Sequence, residues 1–515
     1  MHSYTFGLCL GAFAALGCST PQQAAPEPNA TARPNIVLFL VDDLGWQDLA
    51  VPLDEQPTPF NKRYRTPHLQ RLAREGVTFT NAYAAAPVCT PTRTSIMTGQ
   101  DPARTHITYW TLNKDTDTSR AHPSLSPPDW QMNGLQADQM TLPRQLAAAG
   151  YHTIHVGKAH FGAHDTSGAD PLALGFQENI AGHASGAPAS FYGTHNFSRA
   201  GRQGKPNSPA SPWDVPGLEK FHGQDIYLTE ALTAEAVPAL QAAHASGKPF
   251  FLSFCPYAVH VPIMANKKYL EAYADLDPRE AAYATMVETY DHALGVLLEE
   301  LDRLGIADQT LILFASDNGG LSAHARGGAP NVHNAPLRSG KGSCYEGGVR
   351  VPTLVRWPGV TRAGARVHTP IISPDFFTTL LSAAQVWPID SDQQTDGQDI
   401  TSLLSGNGDV FPERTLGWHQ PHQWGADGPG IEPFTSIRDG EWKLIWFHAK
   451  REFELYDLSK DLGEQTDLAQ ELPGRVMQMA KLMQTWIDDR GAQLSIQKTT
   501  GKPVMGPWDL ARGLH

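Results

Sequence analysis

Cys89-Thr90-Pro91-Thr92-Arg93 places a thiol where a loop should turn into a helix. Pro91 fits a first helical turn because it has no N–H to leave unpaired. Gly99, closing Thr94-Ser95-Ile96-Met97-Thr98-Gly99, is a helix stop. The thiol would face free backbone N–H groups and the positive end of a helix dipole, with Arg93 one turn further on. That setting favours an anion. A second group, Asp42, Asp43, Asp317 and Asn318, offers only oxygen ligands. With no His or Cys among them to favour zinc, they select one hard divalent cation. Calcium is the first choice, since it accepts mixed carboxylate and amide ligands in loose geometry, and magnesium is the second.

These groups are far apart in the chain, so a fold must gather them. Pro34-Asn35-Ile36-Val37-Leu38-Phe39-Leu40-Val41 is a continuous apolar run rich in branched residues, as expected of a strand buried on both faces. Similar runs recur at 152–156, 249–255, 310–315 and 353–356. Helical patterns lie between them at 67–75, 142–149 and 280–304, each ending at a glycine. Alternating strands and helices predict an α/β domain with helices on both faces of the sheet. Ligands bind beyond the carboxyl ends of such strands. Asp42-Asp43, then Lys158 and His160, then His260, then Asp317-Asn318 each follow a different run and so reach one edge. Residues 111–139 and 162–224 show little periodicity and read as walls of a pocket. After about residue 390 short strands at 416–419, 435–438, 443–447 and 453–457, a hairpin turn at Arg438-Asp439-Gly440-Glu441 and a helix at 475–488 predict a small antiparallel sheet with one packed helix.

The chain has 515 residues, 41% hydrophobic and 18% charged, with a formal net charge of −13. That balance suits a globular enzyme with one large domain and a smaller one, and argues against a nucleic-acid binder. An anionic substrate must then be drawn by a local cluster of positive charge. Residues 6–17 are apolar and small, ending in Ala15-Leu16-Gly17-Cys18 before a Pro/Gln/Ala-rich tract. This resembles a bacterial lipoprotein signal with Cys18 as the lipidated residue, although no Lys or Arg precedes the apolar stretch. An ordinary cleaved signal is the alternative. Either way the protein is expected to be exported, as a periplasmic protein or an outer-membrane lipoprotein with a lipid anchor. The organisation is then 1–33 signal and linker, 34–389 catalytic domain and 390–515 C-terminal subdomain. Cys89, Cys255 and Cys344 remain, too few for a disulfide framework.

Six segments carry a family resemblance: Val41-Asp42-Asp43-Leu44-Gly45, Cys89-Thr90-Pro91-Thr92-Arg93, Gly157-Lys158-Ala159-His160, His260-Val261-Pro262, Ser316-Asp317-Asn318-Gly319-Gly320, and the stretch from Lys341-Gly342-Ser343 to Val351-Pro352. In order and separation they resemble the type I sulfatases of the alkaline phosphatase superfamily, whose activation motif is Cys-x-Pro-x-Arg. The resemblance implies a large mixed, mostly parallel sheet sandwiched by helices. It implies that Cys89 is oxidised to formylglycine (3-oxoalanine) by a formylglycine-generating maturation enzyme. Asp42, Asp43, Asp317 and Asn318 would hold Ca2+, with the hydrated residue 89 as nucleophile and further ligand. Arg93 would hold one hydroxyl of that residue, with help from Lys158. Lys158 and Lys341 would clamp sulfate oxygens, His160 would take the proton that reopens the aldehyde, and His260 would protonate the leaving alcohol.

Physical chemistry is consistent with those roles. Positive groups placed where oxygen charge develops stabilise a transition state, and an alcohol leaving group needs an acid. The sulfate pocket does not name the alcohol. A sulfated carbohydrate is the expected substrate, with an aryl sulfate as the simpler alternative. His106, Tyr109, Trp110, Asn113 and Lys114, and Trp418, His419, His422 and Trp424, are the candidate sugar contacts, through aromatic faces and hydrogen-bonding side chains. The nearest competing reading is a phosphoester or phosphonate monoester hydrolase of the same superfamily. A non-catalytic glycan-binding protein would need a lost catalytic group, and every motif position is filled by a competent residue. A thiol or redox role for unmodified Cys89 is the third.

Overall fold

The computed structural model describes residues 1–3, 33–205, 208–322, 326, 328–386, 392–405 and 411–513. The signal reading, including Cys18, and the expected boundary at 389/390 lie outside the described residues. Arg33–His515 forms one compact unit.

Its centre is an eight-stranded sheet. The strands are β1 (Asn35–Val41), β2 (Val77–Phe79), β3 (His152–Gly157), β4 (Glu178–Ile180), β5 (Phe250–Cys255), β6 (Thr310–Ser316), β7 (Thr353–Arg356) and β8 (Ala365–Val367). Their order is β8-β2-β7-β6-β1-β5-β3-β4. β7 runs antiparallel to both β6 and β2, and the other pairings are parallel. The sheet is therefore mixed and mostly parallel, as the family resemblance implies.

Side chains alternate across a strand, so a strand covered on both faces must be apolar throughout. β1 shows this directly. Val37, Phe39 and Val41 enter one core with helices α1 (Pro67–Glu75), α4 (Leu228–Ala245) and α5 (Pro278–Arg303). Ile36, Leu38 and Leu40 enter the other with α2 (Cys89–Thr98), α3 (Leu142–Ala148) and α6 (Pro374–Ala383). α5 begins at Pro278, two residues before the start predicted at 280. Pro278 occupies its first turn, and the Asp277 carboxylate accepts from the N–H of Arg279 at 3.0 Å.

A second sheet is antiparallel, formed by β9 (Leu416–Gln420), β10 (Phe434–Asp439), β11 (Trp442–Phe447) and β12 (Glu452–Asp457). Helix α7 (Pro473–Arg490) packs Met479, Met483 and Trp486 onto Leu444, Trp446 and Leu455. The approach is close: a Cβ on Gly417 would lie 2.3 Å from the Trp486 ring.

One buried ion cluster ties this sheet to the loop that carries Lys341. Lys443 on β11 reaches Glu346 and Glu464, both at 2.9 Å, and all three side chains are fully buried. Glu346 also accepts from the Tyr83 hydroxyl at 2.7 Å. Burial alone would raise the Glu346 carboxyl, but Lys443 and Arg350 pull it down to about 2, while burial pushes Glu464 up to about 7. Removing one member strands the others in a dry interior. Lys443→Met is expected to lower unfolding free energy by about 3–5 kcal/mol, read by urea denaturation. A loss below about 1 kcal/mol would show that the cluster does not secure this interface.

Candidate active site

The β1 strand delivers Asp42 and Asp43 to its carboxyl end, and the neighbouring β6 delivers Asp317 and Asn318, with Val41 paired to Ser316. Backbone and side chains lock the two strand ends together. The Asp43 N–H donates to Asp317 Oδ1 at 3.1 Å, and the Leu44 N–H donates to Ser316 Oγ at 2.9 Å. Asp43 takes a left-handed backbone (φ 59°), a conformation that Asp tolerates better than most residues. Asn318 Nδ2 donates to Asp43 Oδ1 at 2.8 Å.

Three cations are buried against these carboxylates. Arg93 Nε donates to Asp317 Oδ2 at 2.7 Å and Arg93 Nη1 to the Lys158 carbonyl at 2.8 Å. Lys158 Nζ meets Asp42 Oδ1 at 2.7 Å, and Lys341 Nζ meets Asp43 Oδ1 at 2.6 Å. Burial raises the Asp42 carboxyl well above its usual range despite Lys158. For Asp43 and Asp317 burial acts in the same sense, but Lys341 with His260 and Lys158 on one, and Arg93 with Lys158 and Lys341 on the other, together outweigh it and hold both low. Cys89 opens α2 and is buried, with Pro91 inside the first turn and Gly99 left-handed (φ 70°) at the far end, as predicted. Burial also raises its thiol pKa, against Lys158 and Lys341. Cys89, Cys255 and Cys344 form no disulfide among the described residues.

Two histidines complete the cluster. His260 Nε2 lies 3.5 Å from Asp43 Oδ2, and its Nδ1 is 2.8 Å from the Val261 carbonyl. A carbonyl only accepts, so the proton sits on Nδ1. His160 Nε2 lies 2.8 Å from the Thr111 carbonyl and 3.0 Å from Thr90 Oγ1, which by the same argument puts its proton on Nε2. Burial, then Lys341, lowers His260 to about 3, and burial with Lys158 takes His160 well below its ordinary value.

The residues fit an oxygen-liganded cation. Asp42 Oδ2 and Asn318 Oδ1 are buried with no hydrogen-bond partner among the described residues, an expensive state unless something else meets them. Ligand atoms of Asp42, Asp43 and His260 lie within 4.8 Å of one another, as do those of Asp42, Cys89 and Asp317. Both groups share Asp42, so the described residues outline one site.

Cys89, His160, His260 and Lys341 form the floor of a cavity of about 920 Å³. Its walls include Tyr109, Trp110, Trp213 and Trp424. Six expected sugar contacts sit elsewhere, and three of them are held by packing. Trp418 is fully buried and donates its indole N–H to the Ala84 carbonyl at 2.8 Å. His419 is buried with one ring nitrogen on Thr435 Oγ1 at 2.8 Å and the other on the Gln493 carbonyl at 2.9 Å. His422 is a third correction: it stacks behind Tyr109 at 4.8 Å and supports the wall without lining it. His106 turns to the Gly491 carbonyl at 3.0 Å, and Asn113 and Lys114 are exposed away from the cavity lining. Thr90, Thr111, Gly186 and Trp213 were not legible as site residues, because no motif or period marks them.

This fold and site define a sulfatase of the alkaline phosphatase superfamily. The chain belongs to the sulfatase family, whose model matches residues 34–386, and it is a sulfuric ester hydrolase. The C-terminal model of N-sulphoglucosamine sulphohydrolase matches residues 340–489. The chain is 33% identical to N-acetylgalactosamine-6-sulfatase of Mus musculus over 420 residues, 78% of this chain and 73% of that protein. A sulfatase of Formosa agariphila is 30% identical over 515 residues, 91% of each chain. Among solved structures, Ps i-CgsB superposes with a TM-score of 0.73 at 26% identity, over 93% of this chain and 98% of that one.

A Cβ on Gly186 would lie 2.6 Å from His160 Nδ1 and 2.3 Å from its Cε1. Gly186→Ala must therefore displace the imidazole. Sulfate-ester turnover is expected to fall about 100-fold, the scale of a catalytic group misplaced by an ångström. Turnover within about twofold of the parent would show that the ring position is immaterial.

Proposed function

We propose that the protein removes sulfate from a sulfated glycan, with residue 89 in its formylglycine form and one Ca2+ held by Asp42, Asp43, Asp317 and Asn318. The observation that carries this reading is the joint burial of those four residues with Cys89, Arg93, Lys158 and Lys341 at one end of the sheet. The ion would supply Lewis-acid charge beside the sulfate, and the oxidised residue would supply a hydrated carbonyl as nucleophile.

The remaining work falls to side chains of the chain itself. Arg93 spends two of its three nitrogens on Asp317 and the Lys158 carbonyl, and Nη2 is buried without a partner among the described residues. That nitrogen is free to hold an oxygen on residue 89. Lys158 and Lys341 bind sulfate oxygens. Three carboxylates and three cations already balance, so a divalent ion leaves the floor net positive, which draws an anionic ester. His260 keeps its proton on Nδ1 and must first take a second proton from solvent on Nε2, which that atom then gives to the departing alcohol. Burial and then the Lys341 charge keep this ring neutral, and a bound sulfate offsets the Lys341 part and favours the second proton. His160 has Nδ1 without a partner among the described residues, and that atom takes the proton that releases sulfate from residue 89.

A glycan substrate is supported by the aromatic walls of the cavity, since flat rings stack on sugars, and by two relatives. One is named N-acetylgalactosamine-6-sulfatase, and the other, Ps i-CgsB, has been solved in complex with k-i-k-neocarrahexaose. The leader sequence supports export to the periplasm or outer membrane, with maturation of Cys89 by a formylglycine-generating enzyme beforehand.

Matured enzyme with Ca2+ should hydrolyse sulfate esters with a higher kcat/KM than the matching phosphate esters. Cys89→Ala should lose at least about 1000-fold on the sulfate ester while still folding. Preference for phosphate would favour the phosphoesterase reading, and a fully active Cys89→Ala would remove residue 89 from the chemistry.

A further inference from the structure

The cavity wall carries a cationic patch that the sulfate floor does not use. Arg199 and Arg202 line the cavity from the helical turn Arg199–Arg202, and both are exposed. Neither guanidinium has a hydrogen bond or ion pair among the described residues. Asp214 is directed to the backbone: one carboxylate oxygen accepts from the Arg199 N–H at 2.7 Å and the other from the Ser211 N–H at 2.9 Å. Asp427, the acidic residue in the lining, lies beside Arg120 at 3.0 Å.

The turn is anchored. Ser198 Oγ caps it by accepting from the Gly201 N–H at 3.0 Å, and Asp214 fastens it to the segment that holds Trp213. The Trp213 carbonyl in turn accepts from the Ala189 N–H at 2.7 Å. Trp213 and Trp110 lie 6.4 Å apart with a 37° tilt, an aromatic surface of a size that suits sugar rings. Two guanidiniums without counter-ions, on a chain of net charge −13, mark a place for an anion. The reacting sulfate is already met by Lys158 and Lys341, so Arg199 and Arg202 are left for a second anionic group. At about 920 Å³ the cavity lies near the top of the range for small-molecule sites, about 300–1,000 Å³, and leaves room beyond one sugar.

We propose that Arg199 and Arg202 form a second anion subsite, so that the substrate is an oligosaccharide bearing a further sulfate or carboxylate on a sugar next to the one that is desulfated. This rests on the sulfatase reading of the floor.

The test compares three substrates on matured enzyme: an aryl sulfate, a sulfated disaccharide with one anion, and the same disaccharide with a second sulfate or a uronic acid. Arg199→Gln/Arg202→Gln should lose at least about tenfold in kcat/KM on the two-anion substrates, mostly through KM, with a far smaller loss on the other two. The two-anion preference should also weaken as salt is raised, because exposed charges are screened beyond about 10 Å at 0.1 M. Whether the sulfate or the uronate arm responds more identifies the second anion. Equal loss on all three substrates, or none on any, would overturn the subsite. A parent enzyme inert even on the aryl sulfate would instead overturn the reading of the floor.

Discussion

Asp42, Asp43 and Asp317 are buried together, and three carboxylates in so small a volume persist only because Arg93, Lys158 and Lys341 are buried with them. Each charge alone would cost several kcal/mol to bring out of water, and the pairs recover that only with good geometry. The geometry comes from the sheet. Adjacent parallel strands β1 and β6 end level with one another, so their terminal carboxylates meet. The cations arrive from other elements: Arg93 from a helix under the sheet, Lys158 from the end of β3, and Lys341 from the glycine-rich loop. The cluster is thus the point on which several otherwise independent segments converge.

That convergence gives the C-terminal sheet a role in the site. Lys341 lies on the loop continuous with Glu346, and Glu346 is held by Lys443 from β11. Gly342 lies under Trp424, where a Cβ would come within 2.4 Å of the indole ring. The small sheet therefore holds the loop that bears a floor lysine, and the connection between its strands β9 and β10 supplies Trp424 to the cavity wall.

Much of this was legible in the chain. The unbroken apolar run before Asp42 requires burial on both faces, and β1 has it. Pro91 and Gly99 mark the start and end of the cysteine helix because each has a backbone restriction or freedom that its position needs. The strands β2, β4 and β8 were not legible, because three residues are too few to show a period. Trp418, His419 and His422 misled for a different reason. Aromatic rings and imidazoles serve a dry interior as readily as a sugar pocket, and residue type alone does not separate the two. Arg199, Arg202 and Trp213 lie in a long irregular stretch, where only tertiary structure decides which side chains meet the cavity.

The central claim is that this balanced cluster accepts one divalent cation. Calorimetric titration of Ca2+ into metal-stripped protein tests it most directly. The account predicts saturable uptake of one ion per chain, abolished in an Asp43→Asn/Asp317→Asn variant that still folds. No saturable uptake by the parent, or uptake unchanged in that variant, would contradict it.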